Sequence, residues 1–265
     1  MGEPKAALEW HGSTLLRRTS ALLGRTVGGP VLVVRAPGQQ LPALPKAVEV
    51  VDDPVEGRGP MQGIAAGLAA VSERAPAAFV CSTDLPFLHP AFVRRVLREL
   101  GADLDVVLPV ARGYPQPLAA AYRTALAPRV QELIAAGRLR PAMLYQEVDV
   151  LRLDDDALLA DPELASADPA LDSVTNVNEP ADYHAARARP APEITVQRYG
   201  ALAADRHHGP RTVRAATLGA AAAAVNLALD RHVVAALNGD QITRDPELPL
   251  VSGDTIAFLT ADAGG

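Results

Sequence analysis

Residues 77–88, A-A-F-V-C-S-T-D-L-P-F-L, decide the fold class, because an apolar run typical of a buried strand ends there on a single carboxylate, Asp84. Pro86 prevents the strand from continuing, and Pro90 suits the first turn of a helix predicted over residues 91–100. In open α/β sheets this end of a strand faces the ligand crevice. Since a buried charge needs a partner or a metal, we predict that Asp84 is an oxygen ligand for Mg²⁺ beside a nucleotide. The alternative is an Asp that caps a turn.

The composition describes a globular chain and excludes several function classes. With 265 residues, 49% of them hydrophobic, the chain has room for one large domain or two unequal ones. A net charge of −6 argues against a nucleic-acid partner. The single cysteine, Cys81, gives no disulfide framework and is predicted to be a packing residue in a reducing cytosol. No apolar run reaches the roughly 18 residues of a membrane span, so we predict a cytoplasmic protein with no membrane partner.

Strand-like apolar runs alternate with helical patterns up to residue 190, which predicts an α/β fold with a mostly parallel sheet. The other strands are predicted over residues 31–35, 48–51, 106–109, 118–122 and 148–153. The other helices are predicted over residues 14–23, 63–74, 125–136 and 180–187. The acidic stretch 154–172 is interpreted as a solvated surface segment. Residues 188–192 have the proline-rich composition of a linker.

The segment after this linker, residues 193–265, predicts a small α+β domain that ends in A-D-A-G-G. Strands are expected over residues 194–199, 212–215, 233–238 and 255–259, with one helix over 218–229. The segments A-L-N-G-D-Q and L-V-S-G-D-T-I-A-F-L, together with the di-glycine tail, resemble the ubiquitin-like (β-grasp) sulfur carriers, especially the small subunit of molybdopterin synthase. Glycines let such a tail extend through a narrow channel, although a frayed terminus is the alternative.

The carrier resemblance implies two protein partners for residues 193–265. An activating enzyme would adenylylate Gly265, which would then become a thiocarboxylate. The large subunit of molybdopterin synthase would receive the sulfur. One departure from the carriers is L-T-A at residues 259–261, where many of them have prolines.

Four segments of residues 1–187 resemble the molybdenum cofactor guanylyltransferases. They are M-G-E-P-K-A-A-L at residues 1–8, D-D-P-V-E-G-R-G-P-M-Q-G-I at 52–64, S-T-D-L-P-F-L at 82–88 and T-N-V-N-E-P at 175–180. Each alone is a weak signal, but their order and spacing match the family. The resemblance implies a Rossmann-like nucleotidyltransferase fold of three layers.

The same resemblance assigns roles to residues in these segments. Lys5 would place its charge on the triphosphate, although a lone Lys near a terminus is usually solvent-exposed. Asp53 would contact the nucleotide, and Gly59 and Gly63 would let the backbone approach guanine and ribose, although G-R-G-P is otherwise simply a turn. Lys5 and Asp84 are the predicted catalytic residues, and Asp84 also belongs to the nucleotide site.

Asn176 and Asn178 complete the predicted site. They flank Val177, so on an extended loop their amides point the same way. We predict that Asn176 contacts the nucleotide and that Asn178 joins Asp84 at the metal. Turn chemistry is the alternative reason for asparagine in a loop.

The reaction implied is transfer of GMP from GTP to molybdopterin or the molybdenum cofactor, with release of pyrophosphate. The attacking phosphate has a second pKa of about 6, so it needs no general base from the protein. Transfer of a cytidylyl group to the same cofactor is one alternative. A sulfur carrier or binding protein with an inactive first domain is the other.

The start of the chain departs from the family, which begins with a strand and a glycine-rich L-A-G-G-x-S-x-R loop ahead of the Met-Gly seen here. In a doubly wound sheet that first strand is usually central, so its loss would leave backbone groups of two neighbouring strands unpaired. We therefore expect that Met1 is an internal methionine of a longer natural chain.

Overall fold

The computed structural model describes residues 4–53, 59–203 and 209–261. The chain divides into two compact units. The first unit comprises Met1–Leu8 and Leu15–Asn178, and the second comprises Glu9–Thr14 and Glu179–Gly265. Within the described ranges, no helix has both the length and the apolar character needed to cross a membrane.

The elements follow one another in chain order. The strands are β1 (Glu9–Trp10), β2 (Ser13–Thr14), β3 (Val31–Arg35), β4 (Val48–Asp52), β5 (Ala77–Cys81), β6 (Val106–Ala111), β7 (Tyr114–Pro115), β8 (Ala119–Arg123), β9 (Val150–Leu153), β10 (Glu193–Arg198), β11 (Arg211–Arg214), β12 (Val233–Leu237), β13 (Gln241–Thr243) and β14 (Thr255–Thr260). The α-helices are α1 (Leu15–Gly24), α2 (Pro60–Val71), α3 (Pro90–Arg98), α4 (Ala127–Ala135), α5 (Pro141–Leu144), α6 (Asp155–Leu159), α7 (Pro162–Ala167), α8 (Pro180–Arg187) and α9 (Leu218–Ala224). Short 3₁₀ turns cover Lys5–Ala7, Thr124–Leu126, Asp172–Val174 and Gly200–Ala203.

The sheets of the first unit are mixed, so the expectation of a mostly parallel sheet is wrong. Strands β3 and β4 form a parallel pair, and the second sheet has the order β5-β8-β6-β7. Strand β8 runs antiparallel to both β5 and β6, whereas β9 runs parallel to β6. The cause is a tight turn at Arg112 and Gly113, both with positive φ, which folds the chain back as β7 and then β8.

Helix starts in the first unit follow their capping chemistry. Helix α2 begins at Pro60, three residues before the predicted start, because Pro suits the first helical position and Gly59 precedes it with φ of 69°. The acidic stretch interpreted as a solvated segment contains α6 and α7. The carboxylates of Asp154 and Asp161 accept hydrogen bonds from the first turns of these helices, and Leu158 and Leu164 are fully buried.

An apolar slot separates β3 from β5 in the first unit. Its volume is about 510 Å³, and its lining includes residues 31–34 of β3 and 77–81 of β5, together with side chains of α1 and α2. In the described ranges β3 pairs only with β4, and β5 pairs only with β8. Helices α2 and α4 pack on the second sheet in a core that includes Met61, Leu68 and Tyr122, and Leu68 also lines the slot.

The second unit has one five-stranded sheet with the order β11-β10-β14-β12-β13. Strands β10 and β14 are parallel neighbours, and the other pairings are antiparallel. Alternate residues of β10 and β14, such as Val196 and Phe258, face a core completed by Leu218 of α9. Helix α9 ends at Ala224 rather than at the predicted Leu229, because Asn226 has a φ of 54° and stops it.

Candidate active site

Asp84 lies in a turn that follows β5, and neighbouring elements fix this turn. Strand β5 ends at Cys81, and α3 begins at Pro90 after the N-cap His89, whose Nδ1 accepts from the N–H of Ala91 at 3.1 Å. The buried Arg18 of α1 donates from Nε to the carbonyl of Pro86 at 3.0 Å. The carboxylate is therefore presented by a segment that is anchored on both sides.

Lys5 reaches this carboxylate from the first described turn of the chain. Its neighbour Ala6 is buried in a cluster with Leu16 and Val33, which holds the 3₁₀ turn against α1 and β3. The Nζ of Lys5 lies 3.2 Å from Oδ2 of Asp84 and 2.8 Å from Oδ1 of Asn178. Lys5 is therefore not a free surface lysine, and here it contacts the side chains predicted to hold the metal.

The loop that carries the two asparagines is extended and lies against Asp84. The N–H of Val177 donates to the carbonyl of Asp84 at 3.0 Å. The side chain of Val177 is buried, whereas Asn176 and Asn178 are exposed, so the expected alternation is present. The structure brings together Lys5, Asp84 and Asn178, with Asn176 exposed two residues before Asn178.

The residues around Asp84 fit a small divalent cation. The Oδ1 atom of Asp84 is buried and has no hydrogen-bond partner among the described residues. Carboxylate and amide oxygens are hard ligands of the kind that Mg²⁺ prefers, and Mg²⁺ needs only one or two protein carboxylates when phosphates and waters complete its shell. The described residues contain no group of three or more His, Cys, Asp and Glu side chains placed so that they could hold a metal ion. The donor set therefore suits a cation shared with a phosphate ligand rather than an all-protein cage.

Gly59 directly precedes α2, and Gly63 lies in the first turn of this helix, near the turn that carries Asp84. Pro60 and Gly63 line the slot together with Thr83, the residue before Asp84. A Cβ at Gly63 would meet no heavy atom within 4 Å, so the space beside its backbone is open. Gly59 adopts a positive φ that favours glycine.

Asp53 directly follows β4, at the carboxyl end of that strand. Its N–H donates to the carbonyl of Arg35 at 2.7 Å. The preceding residue, Asp52, forms an ion pair with Arg35 at 2.6 Å. These contacts join Asp53 to β3, and none of them links it to Asp84.

Cys81 lies one turn before Asp84 and lines the slot. Burial, with a smaller contribution from the charge of Asp84, raises the pKa of its thiol to about 12. The thiol is therefore neutral at physiological pH and inert as a nucleophile, in agreement with its interpretation as a packing residue.

The sequence did not predict that Asp168 and Arg112 hold the loop that carries Asn176 and Asn178. Asp168 is buried, and its carboxylate accepts from the N–H groups of Asp172 and Ser173 at 2.7 and 2.9 Å. Arg112 donates to the same loop from the turn after β6. The D-P and R-G pairs at these positions indicate turns, but no local pattern tells which loop their side chains reach.

Comparison with known proteins places the chain among nucleotidyltransferases. Residues 1–150 match the family model of the MobA-like NTP transferase domain. A protein of Mycobacterium tuberculosis named probable molybdenum cofactor guanylyltransferase is 38% identical over 189 residues, which is 70% of this chain and 86% of the relative. A protein of Mycobacterium marinum with the same name is 38% identical over 176 residues, which is 64% of this chain and 86% of the relative.

One solved structure supports the fold alone. Molybdopterin-guanine dinucleotide biosynthesis protein A from Archaeoglobus fulgidus superposes with a TM-score of 0.54 at 21% identity. The match covers 70% of this chain and 90% of that chain. It supports an α/β nucleotidyltransferase fold.

Proposed function

The chain belongs to the MobA-like NTP transferase family and is a nucleotidyltransferase, and we propose that it transfers GMP from GTP to molybdopterin or the molybdenum cofactor. The family is given by the match of residues 1–150 and by the relatives that are 38% identical. The identity of both substrates is our inference from the names of those relatives.

The observation that carries the proposal is the contact of Lys5 with Asp84 and Asn178, beside a buried carboxylate oxygen for which the described part of the chain offers no hydrogen-bond partner. Three segments distant in sequence converge there: the first turn of the chain, the turn after β5 and the loop at residues 175–178. A bound Mg²⁺ would neutralise phosphate charge at Asp84 and Asn178. Lys5, whose ammonium already lies between these two side chains, would turn its charge to the phosphates of GTP.

The reaction needs positioning and charge neutralisation from this site. An oxygen of the terminal phosphate of the cofactor attacks the α-phosphorus of GTP, a P–O bond forms, and the bond between the α- and β-phosphates breaks. Pyrophosphate leaves with the electron pair of that bond. Because the attacking phosphate is already largely ionised at neutral pH, with a second pKa of about 6, no side chain has to remove a proton. Asp53, Gly59, Gly63 and Asn176 are proposed to contact the nucleotide.

The experiment is a Mg²⁺-dependent GTP binding measurement with CTP as competitor, followed by pyrophosphate release in the presence of molybdopterin. The Asp84→Asn variant is expected to lose about 10²- to 10³-fold in transfer rate, because the buried carboxylate charge is gone. The matched control is Asp105→Asn, since Asp105 lies just before β6 and its carboxylate accepts from the N–H of Asp149. Equal transfer by wild type and Asp84→Asn contradicts the role of Asp84, and preference for CTP makes the chain a cytidylyltransferase.

We also propose that residues 193–265, within the second unit, form a ubiquitin-like sulfur carrier. When the strands of residues 193–265 are numbered in chain order, their order in the sheet is 2-1-5-3-4, with the first and last strands as parallel neighbours in the middle, which supports a β-grasp fold. The last described strand ends at Thr260, and the sequence continues as A-D-A-G-G from residue 261. Gly265 itself, the proposed site of adenylate and thiocarboxylate formation, lies outside the described residues.

Mass spectrometry of the C-terminus after incubation with an activating enzyme, ATP and a sulfur donor tests this second proposal. We expect one carboxylate oxygen to be replaced by sulfur in the wild type, and no change in a chain that lacks residues 264–265. The truncated chain should keep full guanylyl transfer. An unmodified wild-type terminus overturns the carrier proposal. A modified terminus without any nucleotide transfer would instead leave the chain a carrier with an inactive first unit.

A further inference from the structure

We propose that Arg112 is a positioning residue that holds the loop bearing Asn176 and Asn178 against Asp84. The inference rests on the proposed nucleotidyl transfer and deepens it, because it concerns the geometry of the same site. Arg112 does not touch Asp84, Lys5 or Asn178 in any described contact. Its effect is expected to pass through the loop.

The backbone of Arg112 has a rare conformation, and its side chain reaches the loop at residues 168–178. Arg112 directly follows β6 and has a φ of 54°, in the left-handed region that non-glycine residues rarely adopt. Its N–H donates to Oδ1 of Asp155 at 2.8 Å, which fixes this conformation. Strained residues of this kind persist where the surrounding structure holds them, and they are common at functional sites.

The guanidinium of Arg112 binds the loop at several points. One Nη atom donates to the carbonyl of Ala170 at 2.8 Å and lies 3.3 Å from Oδ1 of Asp172. The other donates to Oγ1 of Thr175 at 3.3 Å. A planar fork of donors matches these spread acceptors, whereas a lysine ammonium is a single point charge.

The loop itself has little regular structure to hold its shape. Between Asp168 and Asn178 only Asp172–Val174 form a 3₁₀ turn. Its base is held by the carboxylate of Asp168 and by Ser173, whose Oγ accepts from the N–H of His89 at 3.1 Å. Its far end is held by the bond from Val177 to the carbonyl of Asp84.

Arg112 reinforces the base through Ala170 and Asp172, and it also binds Thr175, which lies between the two anchors. Thr175 is adjacent to Asn176 and three residues before Asn178, so freedom at Thr175 is passed directly to both amides. Removing Arg112 leaves the base and the far end attached. The loop should therefore stay folded while the positions of its asparagines spread, which weakens alignment of the metal and the triphosphate.

The test compares Arg112→Ala and Arg112→Lys with a matched control, Arg123→Ala. Arg123 donates to the carbonyls of Leu104 and Leu100 at 3.1 and 3.4 Å, near the opposite end of β6. It therefore makes similar backbone contacts away from the site. For each variant we would measure kcat, KM for GTP, the Mg²⁺ concentration for half-maximal rate, and Tm.

We expect Arg112→Ala to lower kcat by about 10- to 100-fold and to raise the half-maximal Mg²⁺ concentration, since small misplacements cost this much. Arg112→Lys should recover only part of the rate. Arg123→Ala should lower Tm at least as much while leaving kcat and the Mg²⁺ dependence near wild type. An active wild type with unchanged kcat and Mg²⁺ dependence in Arg112→Ala overturns this inference alone. An inactive wild type overturns the proposed function and the inference with it.

Discussion

The two units differ in how their sheets are closed. In the second unit β10–β14 form one continuous sheet, and Phe258 of β14 and Leu218 of α9 are completely buried in its core. In the first unit β3–β4 and β5–β8–β6 remain separate over the described residues, with an apolar slot of about 510 Å³ between β3 and β5. Every residue of β5 is partly exposed, although its sequence is as apolar as that of a core strand.

The site proposed for the chemistry lies beside the slot, where the sheets of the first unit are interrupted. The turn that carries Asp84 follows β5, and Gly63 and Thr83 line the slot. Unpaired strand edges and unfilled apolar volume lower local stability, because backbone groups lack partners and side chains lack contacts. Among the described residues, one edge of β3 and one edge of β5 have no partner strand. Nucleotide binding at this edge is therefore expected to be sensitive to anything that fills or widens the slot.

The largest expected effect concerns Cys81 and tests whether the slot is dry. A pKa of about 12 in place of the ordinary 9.0 lowers the thiolate fraction at pH 8 by about a thousandfold, so alkylation of native Cys81 by iodoacetamide should be slower by that factor. An exposed thiol in the second unit, Thr212→Cys in a Cys81→Ser background, should react at an ordinary rate. Rapid alkylation of native Cys81 would mean that water fills the slot and solvates the thiolate.

The same shift has a consequence for stability at alkaline pH. The folded state raises the pKa of Cys81, so it binds the thiol proton more tightly than the unfolded chain does. This stabilising contribution is complete below pH 9 and is lost as the pH rises toward 12. The Cys81→Ser chain should lack this part of the alkaline loss, which urea unfolding at several pH values would measure.

The sequence predicted elements well where local chemistry decides them. Strand β3 and helix α8 have their predicted bounds, because the apolar run V-L-V-V ends at a charged residue and Pro180 starts the helix. The direction of β8 could not be predicted, since the run at residues 118–122 is apolar in either orientation and a distant pairing decides. Helices α6 and α7 were not predicted because the stretch is rich in acidic residues, and only one fully buried leucine in each helix, Leu158 and Leu164, indicates an apolar face.

The proximity of the site residues was predictable only in part. Asp84 and the pair Asn176–Asn178 were expected to meet because their segments resemble neighbouring motifs of one family, and the structure joins them through Val177. The contact of Lys5 with Asp84 was not foreseen, since the resemblance places Lys5 on a triphosphate. The role proposed for Arg112 was also beyond the sequence, because the acceptors at residues 170–175 lie about 60 positions away along the chain.

A second test compares two phenylalanines, one in each sheet. Phe258 in β14 is completely buried in the closed core, so Phe258→Ala should cost about 3–5 kcal/mol of unfolding free energy. Phe79 in β5 is partly exposed, lines the slot and packs edge-on against Phe92, so Phe79→Ala should cost about 1–2 kcal/mol. Urea unfolding by circular dichroism would measure both, with fluorescence of Trp10 reporting the second unit. Equal costs would show that the slot is as well packed as the closed core.

The smallest expected effect comes from substituting alanine for two helical glycines, Gly67 and Gly219. Its sign depends on whether the added Cβ has room at each position. A Cβ at Gly67 of α2 would lie 3.4 Å from Cγ2 of Val34 at the slot, an ordinary contact, so Gly67→Ala should stabilise the first unit by up to about 1 kcal/mol through helix propensity. A Cβ at Gly219 of α9 would lie 3.2 Å from the carbonyl oxygen and 3.3 Å from Cβ of Pro246, whose backbone cannot move aside freely.

Gly219→Ala should therefore destabilise the second unit by about 1 kcal/mol or more, despite the better helix propensity of alanine. The opposite signs follow from the local room at the two helices, since a methyl group is accepted beside the slot at Gly67 and crowded by Pro246 at Gly219. Thermal unfolding of the two variants against wild type measures this. If both substitutions stabilise, α9 has as much room beside Gly219 as α2 has beside Gly67; if both destabilise, the slot is too narrow even for a methyl group.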